Sequence, residues 1–115
     1  MTARIYRIVT EAEWRTAQTA GFFEGSALDR RDGFIHFSTA AQAAETAAKH
    51  YAGKCDLLLL CVDPAALTAP LKWEVSRGGL LFPHLYGPLT VAAVIRAEKL
   101  PLGPDGRFLF PKLEA

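Results

Sequence analysis

Leu57-Leu58-Leu59-Leu60-Cys61-Val62 is an unbroken apolar run set between Asp56 and Asp63-Pro64. Side chains of a strand alternate between two faces, so a strand with this sequence has no polar face to give to water. It must be a central strand covered on both sides. A spanning helix needs ~20 apolar residues, so the run is far too short to cross a membrane. The chain of 115 residues is one domain's worth, residues 1–115. Half its residues are hydrophobic and 22% are charged, which suits a packed core. Thirteen Lys and Arg oppose twelve Asp and Glu, a formal charge of +1. No net field then favours nucleic acid or an anionic membrane. Two cysteines, Cys55 and Cys61, exclude a disulfide scaffold or a zinc finger. Both are read as buried thiols. With no charged-then-apolar leader at Met1-Thr2-Ala3-Arg4, a cytoplasmic protein is expected.

The central strand needs helices and further strands to cover it. Arg4 to Val9 alternates and reads as a first strand. Thr10-Glu11-Ala12-Glu13 has capping-box form and predicts a helix from Glu11 to about Ala20, stopped by Gly21, with Trp14, Ala17 and Gln18 on adjacent turns. Phe22 to Asp32 reads as a loop, and its self-neutralising cluster Asp29-Arg30-Arg31-Asp32 as solvated. Phe34 to Ser38 is a short strand, with Phe34 and His36 on one face and Ile35 and Phe37 on the other. Thr39-Ala40-Ala41-Gln42 opens a second capped helix to about Ala52, with an inward stripe of Ala44, Ala47, Ala48 and Tyr51. Pro64 suits a short helical turn, and Leu71 to Val75 alternates as a strand. Leu80 to Pro88 reads as an apolar loop bracketed by prolines, Val94 to Lys99 as a strand, and Arg107 to Phe110 as a last short strand or packed tail. The order is β-α-β-α-β-(short α)-β-loop-β-(β). Regular βαβ alternation is missing from the second half, so the expected class is α+β, with small β-sheets flanked by two main helices.

No phosphate-binding glycine loop, Cys-x-x-Cys, His-Glu-x-x-His or nucleophile elbow occurs. Chemistry is instead sought where polar residues interrupt apolar segments. His36, Ser38 and Thr39 lie where a strand opens a helix, a place whose free amides bind anions. The bland alternative is that a hydroxyl caps the helix and His36 is a half-buried ring. Glu74 alternates with Trp73 and is either an exposed strand carboxylate or a group that stabilises positive charge or acts as a base. Arg77 with Gly78-Gly79 offers a fork for a carboxylate or phosphate. His84 and Tyr86 either project into one cleft or help to plug the core. A metal site of His36, His84 and Glu74 is not expected, because three separate elements supply the groups without a ligand spacing. His50, near the end of the second helix, is explained by the helix dipole.

Gly33-Phe34-Ile35-His36-Phe37-Ser38-Thr39-Ala40-Ala41-Gln42, Leu71-Lys72-Trp73-Glu74, Ser76-Arg77-Gly78-Gly79 and Phe82-Pro83-His84-Leu85-Tyr86-Gly87-Pro88 together resemble the signature of the domain-of-unknown-function family 952. Ile5-Tyr6-Arg7-Ile8 and Glu13-Trp14 fit it as well. That family looks like a compact relative of the ADP-ribosyltransferase-like superfamily. The resemblance implies a split, bent pair of small sheets with NAD in the cleft between them. It implies that Arg7 on the first strand, Phe37-Ser38-Thr39 at the helix opening, and Glu74 on a later strand hold and cleave the nucleotide. Glu74, by this resemblance, and His36, by its place as a polar residue in an apolar strand, are the catalytic candidates. Arg7, Ser38, Thr39, Arg77, His84 and Tyr86 are the candidates for binding NAD, the possible substrate. The alternative function is a non-catalytic module that binds a small anionic metabolite or a protein partner, anchored by Arg77.

Overall fold

A computed structural model describes residues 3–114; the ends of the 1–115 span, with Met1 and Thr2 of the leader reading, lie outside the described residues. The apolar run forms strand β4 (Leu57–Val62) at the centre of a three-stranded antiparallel sheet. Its neighbours are β1 (Ile5–Thr10) and β8 (Val94–Lys99). Alternation divides β4 between two cores. Leu58, Leu60 and Val62 pack with Ile5, Val9, Phe23, Ile35 and Leu85, whereas Leu57, Leu59 and Cys61 pack with Tyr6, Ile8, Ala43 and Ala47. A two-stranded sheet joins β2 (Phe22–Phe23) to β7 (Leu89–Thr90). A third sheet has the order β3 (Ile35–His36), β6 (Leu81–Leu85), β5 (Leu71–Val75). The class is α+β with small antiparallel sheets, as expected.

Among the described residues there are three α-helices where two main ones were expected: α1 (Glu11–Ala20), α2 (Ala27–Asp32) and α3 (Ala40–His50). Each opens with a complete capping box, from Thr10, Ser26 and Thr39. Helix α2 corrects the loop expected over Phe22 to Asp32. Its capping box, Ser26 with Asp29, ends in the same acidic residue that was read as solvated, yet Asp29 is 2% exposed. The reason is the ion pair it makes from inside the molecule, described below.

The stripe of α3 is also corrected. Ala43 and Ala47 face the core with Tyr51, while Ala44 and Ala48 are exposed. The two sets differ by one position, and alanines on adjacent faces give the sequence no contrast by which to choose. On α1, Ala17 is buried, Trp14 half-buried and Gln18 exposed.

The proline-bracketed loop is a strand, β6, and the central one of its sheet. Pro83 sits opposite Trp73 of β5. Its carbonyl accepts from Phe37 N at 3.0 Å. A strand residue's carbonyl and amide share a side, so the missing N–H faces β3 and costs β5 no bond. Because β3 is only two residues long, that side tolerates a proline. Trp73 is 45% exposed, and of the two cysteines read as buried only Cys61 is; Cys55 is exposed. Pro64–Ala66 and Arg77–Gly79 form single 3-10 turns. Arg107 to Phe110 is a tail with one isolated bridge, Leu102 to Phe108, and Phe108 and Phe110 pack on the second core. No described helix is long and apolar enough to cross a membrane.

Candidate functional site

The sheets and α2 and α3 leave a partly open cavity of about 130 Å³. Strand β1 delivers Arg7 to it, β3 delivers His36, the β3–α3 junction Ser38, and β6 His84. Thr46 and His50 come from α3, and Arg77 from the turn after β5. The charged lining groups are Arg7, Arg77 and Asp29, two positive and one negative, a formal excess of +1 before any imidazole is counted.

Arg7 lies on the apolar face of β1 between Ile5 and Val9, where burial of a lone charge is prohibitive. Asp29 resolves this. Its Oδ1 accepts from Arg7 Nη1 at 2.8 Å, from His36 N at 3.1 Å, and meets His36 Nδ1 at 2.6 Å. Its Oδ2 accepts from Ser26 N and Oγ. These donors hold the Asp29 carboxyl far below the usual aspartate range against the opposing effect of its burial. Arg7 also donates to the carbonyls of Ile8 and His36 and lies over the Phe23 ring at 5.3 Å. Its charge is therefore spent on the protein.

Arg77 stands differently. Its Nε meets Glu45 Oε1 at 3.0 Å and its Nη2 meets Thr46 Oγ1 at 3.2 Å, while the guanidinium stacks over Phe82 at 4.9 Å. Glu45 is 60% exposed, a partner that water and salt readily loosen. Thr46 Oγ1 also meets Ser38 Oγ at 2.8 Å. Ser38 further clips β1 through paired backbone bonds with Tyr6, at 2.7 and 2.8 Å. Partial desolvation, then the charges of Arg77 and His36, hold His50 below the usual histidine value.

Of the residues picked from sequence, the structure brings Arg7, His36, Ser38, Arg77 and His84 to one cavity. Thr39 is not on its lining and caps α3 through Gln42. Glu74 and Tyr86 stand behind His84: Glu74 Oε1 lies 2.8 Å from His84 Nδ1 and accepts from Tyr86 Oη at 2.6 Å. The same hydrogen bonds, Tyr86 first, hold the Glu74 carboxyl below its ordinary value and raise the Tyr86 phenol. The sequence missed Asp29, Thr46 and Tyr51, which line the cavity. Thr46 alone carried a signal, as a lone hydroxyl one turn from Ala43 in an alanine-rich helix. Among the described residues no group of three His, Cys, Asp or Glu side chains is disposed to hold a metal ion.

Comparison with known proteins matches residues 8–97 to the model of the DUF952 family, described as a protein of unknown function. The chain belongs to this DUF952 family. The match takes in Arg7's strand neighbours, the whole of α2, β3 and α3, and the β5–β6 unit that carries Glu74 and His84. This DUF952 chain is also similar to protein CC0527 of Caulobacter crescentus. The crystal structure of that protein is 52% identical, with a TM-score of 0.87 and coverage of 92% of this chain and 93% of the other. Its solution NMR structure is 53% identical, with a TM-score of 0.80 and 90% of each chain covered. No curated protein matches.

Proposed function

We propose that the cleft binds a nucleotide of the NAD or ADP-ribose class and that the protein is an ADP-ribosyltransferase-like transferase or NAD-cleaving enzyme of the cytoplasm. One observation carries the ligand class: Arg77, three imidazoles and the Ser38–Thr46 hydroxyl pair converge on one cationic cavity. Guanidinium and hydroxyl donors at a concave site suit phosphate and ribose. Arg7 is already neutralised by Asp29, which leaves Arg77 as the cation offered to a ligand. Whole drug-sized ligands occupy roughly 300–1,000 Å³. The cavity of about 130 Å³ holds one ring-sized portion, such as a ribose or nicotinamide, with the remainder along its open mouth. The placement of Arg7 on β1 and Ser38 at the opening of α3 agrees with the superfamily resemblance. Two free thiols, one exposed and one buried, agree with a reducing compartment.

A second reading, a non-catalytic module for a small anionic metabolite, is favoured by Glu74. The carboxylate assigned to catalysis by resemblance is occupied by His84 and Tyr86 and does not line the cavity.

Thermal shift with NAD, ADP-ribose and nicotinamide tests the nucleotide reading. Ligand at ~100 Kd stabilises by ~2.7 kcal/mol. Arg77→Ala is expected to abolish that shift. No response to any of the three compounds rejects a nucleotide. Chromatography of NAD incubated with the wild type and with Glu74→Gln then separates the two readings. Turnover lost in Glu74→Gln, with binding kept, supports the enzyme; binding without turnover in the wild type supports the module.

A further inference from the structure

We propose that His84 is the proton acceptor of this cleft and that Glu74 is a positioning residue which sets it in that state. The inference rests on the cleft being a ligand site, and it moves the acceptor role from the carboxylate to the imidazole in front of it. Oε1 of Glu74 is met by two groups, Tyr86 Oη at 2.6 Å and His84 Nδ1 at 2.8 Å. An ionised carboxylate oxygen only accepts, so Nδ1 carries a proton. A neutral imidazole holds one proton, and Nε2 is left with its lone pair.

The ring cannot turn away. It is 4% exposed, and Phe34 stacks on it at 4.0 Å with 23° between the planes. Among the described residues Nε2 has no hydrogen-bond partner, while no buried side-chain nitrogen or oxygen lacks one. Nε2 is therefore reached from the cavity that the ring lines.

His36, directly opposite on β3, is built the other way. Its Nδ1 lies 2.6 Å from Asp29 Oδ1 and its Nε2 2.9 Å from Asp32 Oδ2. Both of its nitrogens are engaged by carboxylates, so neither is left free to meet a ligand. The cleft thus combines a cationic fork, Arg77, with one imidazole acceptor whose tautomer a carboxylate fixes; His50 also lines the cavity, but no carboxylate meets its ring. The ligand class that satisfies both carries a hydroxyl beside an anionic group, as a ribose phosphate does. A ligand hydroxyl donates its hydrogen bond to the Nε2 lone pair. The proton passes to Nε2 as that oxygen forms its bond to an electrophilic carbon of the nucleotide and the leaving group departs with the bonding pair, and Glu74 balances the imidazolium.

The test is long-range nitrogen–proton NMR of the full chain labelled with nitrogen-15 at histidine, at mildly alkaline pH. His84 of the wild type is expected to show a protonated Nδ1 and an unprotonated Nε2. Glu74→Ala is expected to move its Nε2 signal toward that of a protonated nitrogen. Glu74→Gln, whose amide oxygen still accepts from Nδ1, is expected to keep the wild-type pattern. A proton on Nε2 in the wild type overturns the proposal, and so does a His84 signal unmoved in Glu74→Ala. A spectrum shared by the two variants also overturns it, because Glu74 would then act by packing. ADP-ribose added to the wild type separates this inference from the nucleotide reading. A shift of His84 Nε2 supports both. Shifts around Arg77 in a uniformly nitrogen-15-labelled sample, with His84 Nε2 unmoved, overturn the acceptor role alone. No shift anywhere overturns the nucleotide reading alone, and the ligand-free spectrum decides His84.

Discussion

Asp29 joins three elements through one carboxylate: its own helix by Ser26, β1 by Arg7 and β3 by His36. Removing one partner of a buried ion pair leaves an uncompensated charge and costs about 3–5 kcal/mol. Asp29→Ala is therefore expected to lose about that much in urea denaturation. Arg7→Leu combined with Asp29→Leu should recover only part of the loss: it removes the stranded charge, but Ser26 N and His36 N still lose their acceptor. The same carboxyl fixes an acid response. Its native value lies below the unfolded one, so the stability it contributes is complete above the ordinary aspartate value of ~3.9 and falls as pH drops through and below it. Acid titration followed by circular dichroism should show a shallower loss below about pH 4 in Asp29→Asn than in the wild type.

At the scale of elements, the short α2 depends on how closely the chain can turn into it. Gly25 has φ +102°, and a Cβ placed there would lie 2.8 Å from the Asp29 Cβ. Gly25→Ala carries both backbone strain and a clash against the helix that holds the ion pair. It is expected to cost more than ~1 kcal/mol in chemical denaturation. The N-cap of α3 gives a contrasting outcome. Thr39→Ala should cost about 1 kcal/mol of stability and leave ADP-ribose affinity unchanged, because Thr39 caps the helix and does not line the cavity. A change in affinity measured by calorimetry would restore Thr39 to the binding set. Capping boxes were legible before the fold because they are local: Thr10 with Glu13 and Thr39 with Gln42 need only helical spacing. The β6 strand was illegible for the opposite reason. Pro83 signals a break, and only a partner strand as short as β3 makes it harmless.

On the scale of the whole molecule, β4 separates two cores that are closed by different means. The first is covered by α1 and the small sheets, the second by α3 and by the tail that carries Phe108, Phe110 and Leu113. The tail is tied down by Glu114, whose backbone amide and carbonyl both bond Tyr6 Oη, at 2.7 and 2.8 Å. Deletion of residues 107–115 uncovers the second core. It is expected to cost roughly 3 kcal/mol, the scale of two half-buried aromatics and a leucine. Thermal denaturation checks this, and an unchanged midpoint would show that the tail does not cover the core. The cavity lies between the same layers, so its shape depends on how the cores hold β1 against β3 and α3.

The sequence by itself determined the central strand, the helix starts of α1 and α3, the α+β class and the polar set His36, Ser38, Arg77 and His84, whereas Arg7 was pointed to only by the family resemblance. Apart from Arg7, each follows from a short-range rule: a run with no polar face, a cap three residues from its partner, or a polar group within an apolar stretch. Which carboxylate meets which cation was decided by tertiary structure alone. Asp29 is 22 residues from Arg7, and Glu74 is 10 from His84, in elements whose approach no local pattern encodes. A charge in a polar cluster is solvated or buried according to what arrives from elsewhere in the chain. Only the folded molecule makes Asp29 the counter-ion of β1 and Glu74 the support of an imidazole.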